Sequence, residues 1–343
     1  MKALAIGDYL LPAKAFDDAL SCCELFEEYT SVEWRPVEQR SAMREVVRRI
    51  ETMGSKSYQP SEEILALSED VDILFIHLYP VSADFIARAT HLKCIVTARG
   101  GVENIDVAAA KAHGVAIIHC PAHNATAVAE YTVGLIIAEI RNIARSHMGL
   151  RSGTWREQFP NSTAIPELVD ASVGIIGFGT IGRMVAQRLK GFECRIFIHD
   201  PYVAAEEIKN LGYLSAGMKE LLENSDIITL HGRLAAGDPP IIGRAELYRM
   251  KPNAYLINTA RASLVDMDAL YTALREGRIM GAALDVYQSE PLPDDFPFLK
   301  LDNVTLTNHR GGDTLNSYHK APVLLRQQLS EYLKTGKTRF LIC

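Results

Sequence analysis

The hydrophobic and polar positions of this chain alternate between two periods over most of its length. Short apolar runs at residues 4–6, 73–76, 94–97 and 115–118 have the length of buried strands. Between them, residues 37–53 and 82–90 space their apolar side chains at helical intervals. Such alternation predicts a parallel sheet covered by helices. The pattern resumes after residue 170, with strands at 227–230, 255–258, 281–286 and 304–307 and helices at 219–223, 244–250 and 267–275. One long apolar helix over 125–148 links the two blocks, and a last helix over 315–333 is expected to return to the first.

The second block opens on SVGIIGFGTIGRMVAQRLKGFECRIFIHDPY, residues 172–202. Val173, Ile175 and Ile176 give a strand, Gly177 to Gly182 a glycine turn, and Ile181 to Leu189 an amphipathic helix; a second strand over 194–199 ends at Asp200. These two strands bring the block to six. A pyrophosphate can rest on the N–H groups at the helix start only if no side chain blocks it, which gives Gly179 its role. Gly177 allows the tight turn, Gly182 lets the helix approach the strand, and Thr180 and Ile181 start the helix at the phosphate. Asp200 is placed to accept hydrogen bonds from an adenosine ribose. That carboxylate repels a 2′-phosphate, so the stretch points to NAD over NADP.

Composition narrows the picture. At 343 residues the chain has room for two domains, and 48% apolar with 23% charged residues is ordinary for a soluble globular protein. A net charge of −6 without a basic tract argues against nucleic acid or an anionic membrane as partner. Six scattered cysteines with no CxxC pair are read as reduced thiols of a cytoplasmic protein. The N-terminus reads as a strand, with no signal peptide. His119, Cys120 and His123 lack a fourth ligand or spaced partner pair, so no metal is expected.

Three groups follow strand ends on the edge that carries the glycine turn: Arg261 in NTARAS, Glu290 in LDVYQSEP and His309 in TLTNHRGG. A guanidinium can hold a carboxylate in a bidentate pair, and an imidazole oriented by a carboxylate, which also raises its pKa, can exchange the proton of a hydroxyl. Together beside a nicotinamide they suit hydride chemistry on an α-hydroxy or α-keto acid. Asp285 could bind the nicotinamide carboxamide or be an interior acid held to backbone.

These segments, together with GVENID and Asn124 to Glu130, occur in the order and spacing of the D-isomer-specific 2-hydroxyacid dehydrogenases, which the chain resembles nearly end to end. The resemblance implies two doubly wound parallel-sheet α/β domains: a flavodoxin-like substrate domain over 1–120 and 312–343, and a Rossmann NAD domain over 121–311. The site is expected in the cleft between them. It further implies a homodimer built through the NAD domains and the long helix. By motif match Arg261, Glu290 and His309 are catalytic, and Gly232, Thr259, Ala260, Asp285 and Gly311 join the glycine turn and Asp200 as cofactor positions. Gly100 and Gly101 would hold the substrate carboxylate through their N–H groups. Arg99 replaces a small residue in that loop and could pair with a second anionic group, such as a phosphate or distal carboxylate, or instead point to solvent or pair with Glu103; His77 and Tyr79 lie where some phosphoglycerate-specific relatives place an arginine.

Other departures are Asn308 for the usual proline before the histidine, Ala262 for a glycine, and Arg233 for a proline near the adenosine. The chain ends soon after His309, so the regulatory domain of long phosphoglycerate dehydrogenases is not expected. The expected activity is NAD-dependent interconversion of a D-2-hydroxy acid and its 2-oxo acid. Two alternatives are an NADPH-dependent glyoxylate or hydroxypyruvate reductase and a non-catalytic NAD-sensing scaffold.

Overall fold

Strands that are apolar on both faces need cover on both, and the chain supplies it twice. The computed structural model describes residues 1–21, 24–235 and 237–343, so the expected thiols Cys22 and Cys23 lie outside the described residues. Two compact units result, Met1–Asn124 with Thr314–Cys343, and Ala125–Asp313. Cys94, Cys120, Cys194 and Cys343 are free thiols.

Unit 1 runs β1 (Lys2–Gly7), α1 (Ala13–Leu20), β2 (Glu28–Glu33), α2 (Met43–Met53), α3 (Glu62–Ser68), β3 (Ile73–Ile76), α4 (Ala83–Arg88), β4 (Cys94–Thr97), α5 (Val107–Ala112) and β5 (Ala116–Ile118). Its sheet has the order β2-β1-β3-β4-β5, all parallel. The apolar pattern missed β2 because EYTSVE is an edge strand, half covered and therefore mostly polar.

Unit 2 runs α6 (Ala125–Ile140), α7 (Ile143–Arg151), β6 (Ser172–Ile176), α8 (Thr180–Leu189), β7 (Arg195–His199), α9 (Ala205–Asn210), β8 (Leu214–Ser215), α10 (Met218–Asn224), β9 (Ile227–Leu230), α11 (Arg244–Arg249), β10 (Tyr255–Asn258), α12 (Met267–Arg275), β11 (Gly281–Leu284) and β12 (Val304–Leu306). The parallel sheet has the order β12-β11-β10-β9-β6-β7-β8. It has seven strands where the pattern predicts six, because the two-residue edge strand β8 is too short to leave a hydrophobic signature. The chain then returns to unit 1 with α13 (Leu315–Thr335), whose Ala321, Leu325 and Leu329 share a core with Phe16 and Phe75.

The single long helix expected over 125–148 is two helices. Asn142 takes a left-handed φ of 55° and breaks it. The break brings Arg145 back onto Glu139, with Nη2 2.8 and 3.0 Å from its two carboxylate oxygens. Glu139 is almost fully buried and also accepts from the Thr305 hydroxyl on β12. Burial raises its carboxyl above the ordinary range although the guanidinium opposes this.

Inside the sheet the exits of β6 and β9 lie in backbone contact. Gly177 has φ +95°, and a Cβ there would collide with the Gly232 nitrogen; a Cβ on Gly182 would collide with the Gly177 carbonyl. His231, next to Gly232, donates its N–H to the Ile176 carbonyl at 2.7 Å. Its residue is half-buried, but Nδ1 is sealed from solvent without a partner among the described residues. Burial lowers its pKa to about 3.

Two stability measurements follow from these contacts. Arg145→Ala leaves a buried carboxylate without its cation and should cost about 3–5 kcal/mol in urea unfolding; a loss under about 1 kcal/mol would mean that the pair is idle. His231 stays neutral in the folded chain while an unfolded imidazole gains a proton below about pH 6.5, so its contribution weakens as pH falls from there toward 3. His231→Asn should therefore show a shallower loss of stability across that window, and parallel curves would refute the assignment.

Candidate active site

In a parallel sheet every strand ends on the same edge, and ligands bind where neighbouring strands exit in opposite directions. In unit 2 that point lies between β6, which turns toward β7, and β9, which leads toward β10. The glycine turn leaves β6 there. Gly179 faces open space, since a Cβ on it would meet nothing within 4 Å, and no side chain caps the start of α8. Thr180 is exposed and Ile181 half-buried at that helix start. An unblocked set of N–H groups at the head of a ten-residue helix fits a pyrophosphate.

Asp200 follows β7, with Oδ2 accepting from Phe178 N at 2.6 Å and Oδ1 from Tyr202 N at 2.8 Å. Its carboxylate is thus fixed in direction by two backbone donors.

Arg261, Glu290 and His309 follow β10, β11 and β12, three neighbouring strands, and all three are exposed. His309 Nδ1 lies 2.8 Å from Glu290 Oε2, and Glu290 Oε1 accepts from Tyr287 N at 3.1 Å. A carboxylate only accepts, so Nδ1 carries the hydrogen and Nε2 is left as a base. Arg261 turns Nη1 onto the Ala260 carbonyl at 2.7 Å and keeps its other donors.

His309 adopts a left-handed φ of 54°, a conformation that costs a non-glycine residue on the order of 1–2 kcal/mol. Asp285 holds it there. This carboxylate, 1% exposed, accepts from the Thr307 hydroxyl (2.7 Å), Arg310 N (2.9 Å) and Gly311 N (2.8 Å). Of the two readings of Asp285, the interior acid describes its contacts. Thr259, expected at the cofactor, turns its buried hydroxyl onto Thr132 at 2.7 Å, and Ala260 N is taken by Asn258 Oδ1 at 3.1 Å.

In unit 1 the Arg99–Gly101 loop follows β4. Arg99 is 12% exposed and sits 3.4 Å from Glu103 and 3.8 Å from Glu51, and the Glu103 carboxylate packs against Gly101. Tyr79 is 1% exposed and packs on Trp34 and Phe85, so it belongs to the core and not to a ligand-facing surface. His77 is buried with Nδ1 2.9 Å from Asp8. Asp8, which the motifs did not single out, follows β1, and His123, considered from the sequence only as a metal ligand, follows β5. No metal-binding cluster occurs among the described residues, and no helix among them is long and apolar enough to cross a membrane.

Residues 133–311 match the family model described as D-isomer specific 2-hydroxyacid dehydrogenase, NAD binding domain. The chain is 40% identical to the D-3-phosphoglycerate dehydrogenase of Methanocaldococcus jannaschii, over 80% of this chain and 52% of that protein, so it spans about half the length of that relative. It is 37% identical to the glyoxylate reductase of Thermofilum pendens, over 82% of this chain and 84% of that one. In structure it is similar to a D-isomer specific 2-hydroxyacid dehydrogenase from Lactobacillus delbrueckii ssp. bulgaricus in its NAD-complexed form. The TM-score is 0.78 at 21% identity, with full coverage of both chains, a likeness of fold. With NAD as the cofactor of unit 2, the chain belongs to the D-isomer specific 2-hydroxyacid dehydrogenases.

Proposed function

We propose that this chain interconverts a D-2-hydroxy acid and its 2-oxo acid with NAD. The observation that carries this reading is the His309–Glu290 pair at the ends of β11 and β12, beside Arg261. Bound NAD would supply the hydride acceptor, held by Gly177, Gly179, Thr180, Ile181 and Gly182 at its phosphates and by Asp200 at the ribose. Gly232 keeps the backbone contact that shapes that turn, while Asp285 and Gly311 act on it through the His309 loop. Thr259 and Ala260 hold the strand end.

His309 Nε2 takes the hydroxyl proton in oxidation and returns it in reduction. Glu290 keeps the opposite nitrogen protonated and offsets the imidazolium that forms. Arg261 clamps the substrate carboxylate and polarises its C2 oxygen. Within unit 1, the N–H groups of Gly100 and Gly101 are read as a turn suited to a carboxylate. A second anionic group on the substrate would have to engage Arg99 in competition with Glu103 and Glu51.

The fixed Asp200 carboxylate favours NADH over NADPH. A homodimer is supported by Ile143, Met148, Leu150 and Trp155 on α7 and the loop after it, which are 52, 70, 57 and 80% exposed. Free thiols accord with a cytoplasmic location.

His309→Ala should lower turnover on the order of a hundredfold or more, and NADPH should serve worse than NADH. An unchanged rate in the variant, or a clear preference for NADPH, would reject the corresponding assignment. Light scattering should give twice the mass of the 37.9 kDa chain, falling to that mass when Met148 and Leu150 are both replaced by Glu. A wild-type mass of one chain would sink the dimer.

A further inference from the structure

The turn at Gly100 and Gly101 has a weakness that its own backbone cannot repair. The peptide unit joining the two glycines has no Cβ on either side, so little resists its rotation. Only one of its orientations offers the Gly101 N–H to a ligand. Neither glycine N–H has a protein acceptor among the described residues, which leaves both as donors. The Glu103 carboxylate beside Gly101 is met by Arg99 at 3.4 Å, which offsets its charge against an arriving anion.

The residues that follow β5 hold the turn from outside. Cys120 N donates to the Arg99 carbonyl at 2.8 Å, and His119 Nδ1 lies 2.8 Å from the Gly100 carbonyl. A carbonyl only accepts, so Nδ1 carries the hydrogen. Both peptide units are trans, and in a planar trans unit the N–H points opposite to the C=O. Drawing the carbonyls of Arg99 and Gly100 onto residues 119 and 120 therefore turns the N–H groups of Gly100 and Gly101 away from that segment. The bond to the Gly100 carbonyl also polarises the unit and strengthens its N–H as a donor.

His119 is itself seated by residues 340–343. Past α13 the chain lies antiparallel along β5, the edge strand of the sheet, with Ile342 N donating to the Ile117 carbonyl at 2.8 Å and Ile117 N to that of Cys343 at 3.2 Å. His119 N donates to the Phe340 carbonyl at 3.0 Å, and the Phe340 ring meets the imidazole edge-on, with 6.2 Å between centroids.

We infer that His119, seated by Phe340, is a positioning residue for the substrate carboxylate and acts by fixing the direction of the Gly101 N–H. The inference rests on the reading of this turn as the place of that carboxylate. A phenyl ring at position 119 keeps the packing on Phe340 and loses the donor. An asparagine loses the ring and keeps an N–H near the place of Nδ1. Affinity for a carboxylate follows the donor and not the ring.

The test is calorimetry on the full chain saturated with NADH and titrated with oxamate, a mimic of a 2-oxo acid that accepts no hydride. His119→Phe should weaken oxamate about tenfold with NADH affinity unchanged, and His119→Asn should recover most of the loss. In amide spectra of the glycine-labelled chain, oxamate should move the Gly101 resonance in wild type and in His119→Asn but not in His119→Phe. Should His119→Phe fail to fold, Phe340→Ala, which withdraws the seat and spares the donor, should show a smaller loss of the same kind. Oxamate affinity equal to wild type in the variant measured overturns the inference, as does a failure of His119→Asn to recover it, or no oxamate binding in wild type. If the affinities hold and yet no 2-oxo acid is reduced with NADH, His119 keeps its role and the dehydrogenase reading fails.

Discussion

Everything placed at the edge of the unit 2 sheet depends on two chain segments touching backbone to backbone. Gly177 and Gly232 sit where the exits of β6 and β9 meet, and Gly182 closes the helix onto the Gly177 carbonyl. A single Cβ at Gly177 would wedge the two exits apart and bring strain from its positive φ as well. The contact lies beside the uncapped head of α8 and next to the His231 ring, which burial keeps neutral. The geometry of this turn is therefore set by the side chains missing from Gly177 and Gly182.

Beside that contact, the proposed chemistry is a matter of strand order. Arg261, Glu290 and His309 lie 48 residues apart in sequence at the extremes, yet β10, β11 and β12 are neighbours in one sheet. Parallel strands deliver their following loops to one edge whatever the sequence distance. Unit 1 repeats the arrangement with Asp8, His77, Arg99 and His123 after β1, β3, β4 and β5.

Much of this was legible beforehand. Strands such as Ile73–Ile76 and Tyr255–Asn258 are buried on both faces and announce themselves as unbroken apolar runs. Their loops follow by position, which is why Asp200 and the Arg261, Glu290 and His309 set could be named from residues alone. The polar edge strand β2 and the two-residue β8 could not be read, since half-covered or very short strands carry little hydrophobic signal. The break at Asn142 was equally hidden, because apolar residues continue past it. The local Arg99–Glu103 pairing was one of two readings open from the sequence, but other side-chain commitments were out of reach: that Arg99 also meets Glu51, that Tyr79 is core, and that the Thr259 hydroxyl faces Thr132 are facts of packing across distant segments.

The Asp285 carboxylate has a consequence for how the His309 loop behaves. Three donors, one side chain and two backbone N–H groups, converge on a single buried anion, so none can be released without weakening the hold on the others. The segment is thereby tied at three points to one buried side chain. Asn308 therefore need not supply the stiffness of the proline it replaces, because the rigidity is lent from beneath the loop and not built into its own backbone.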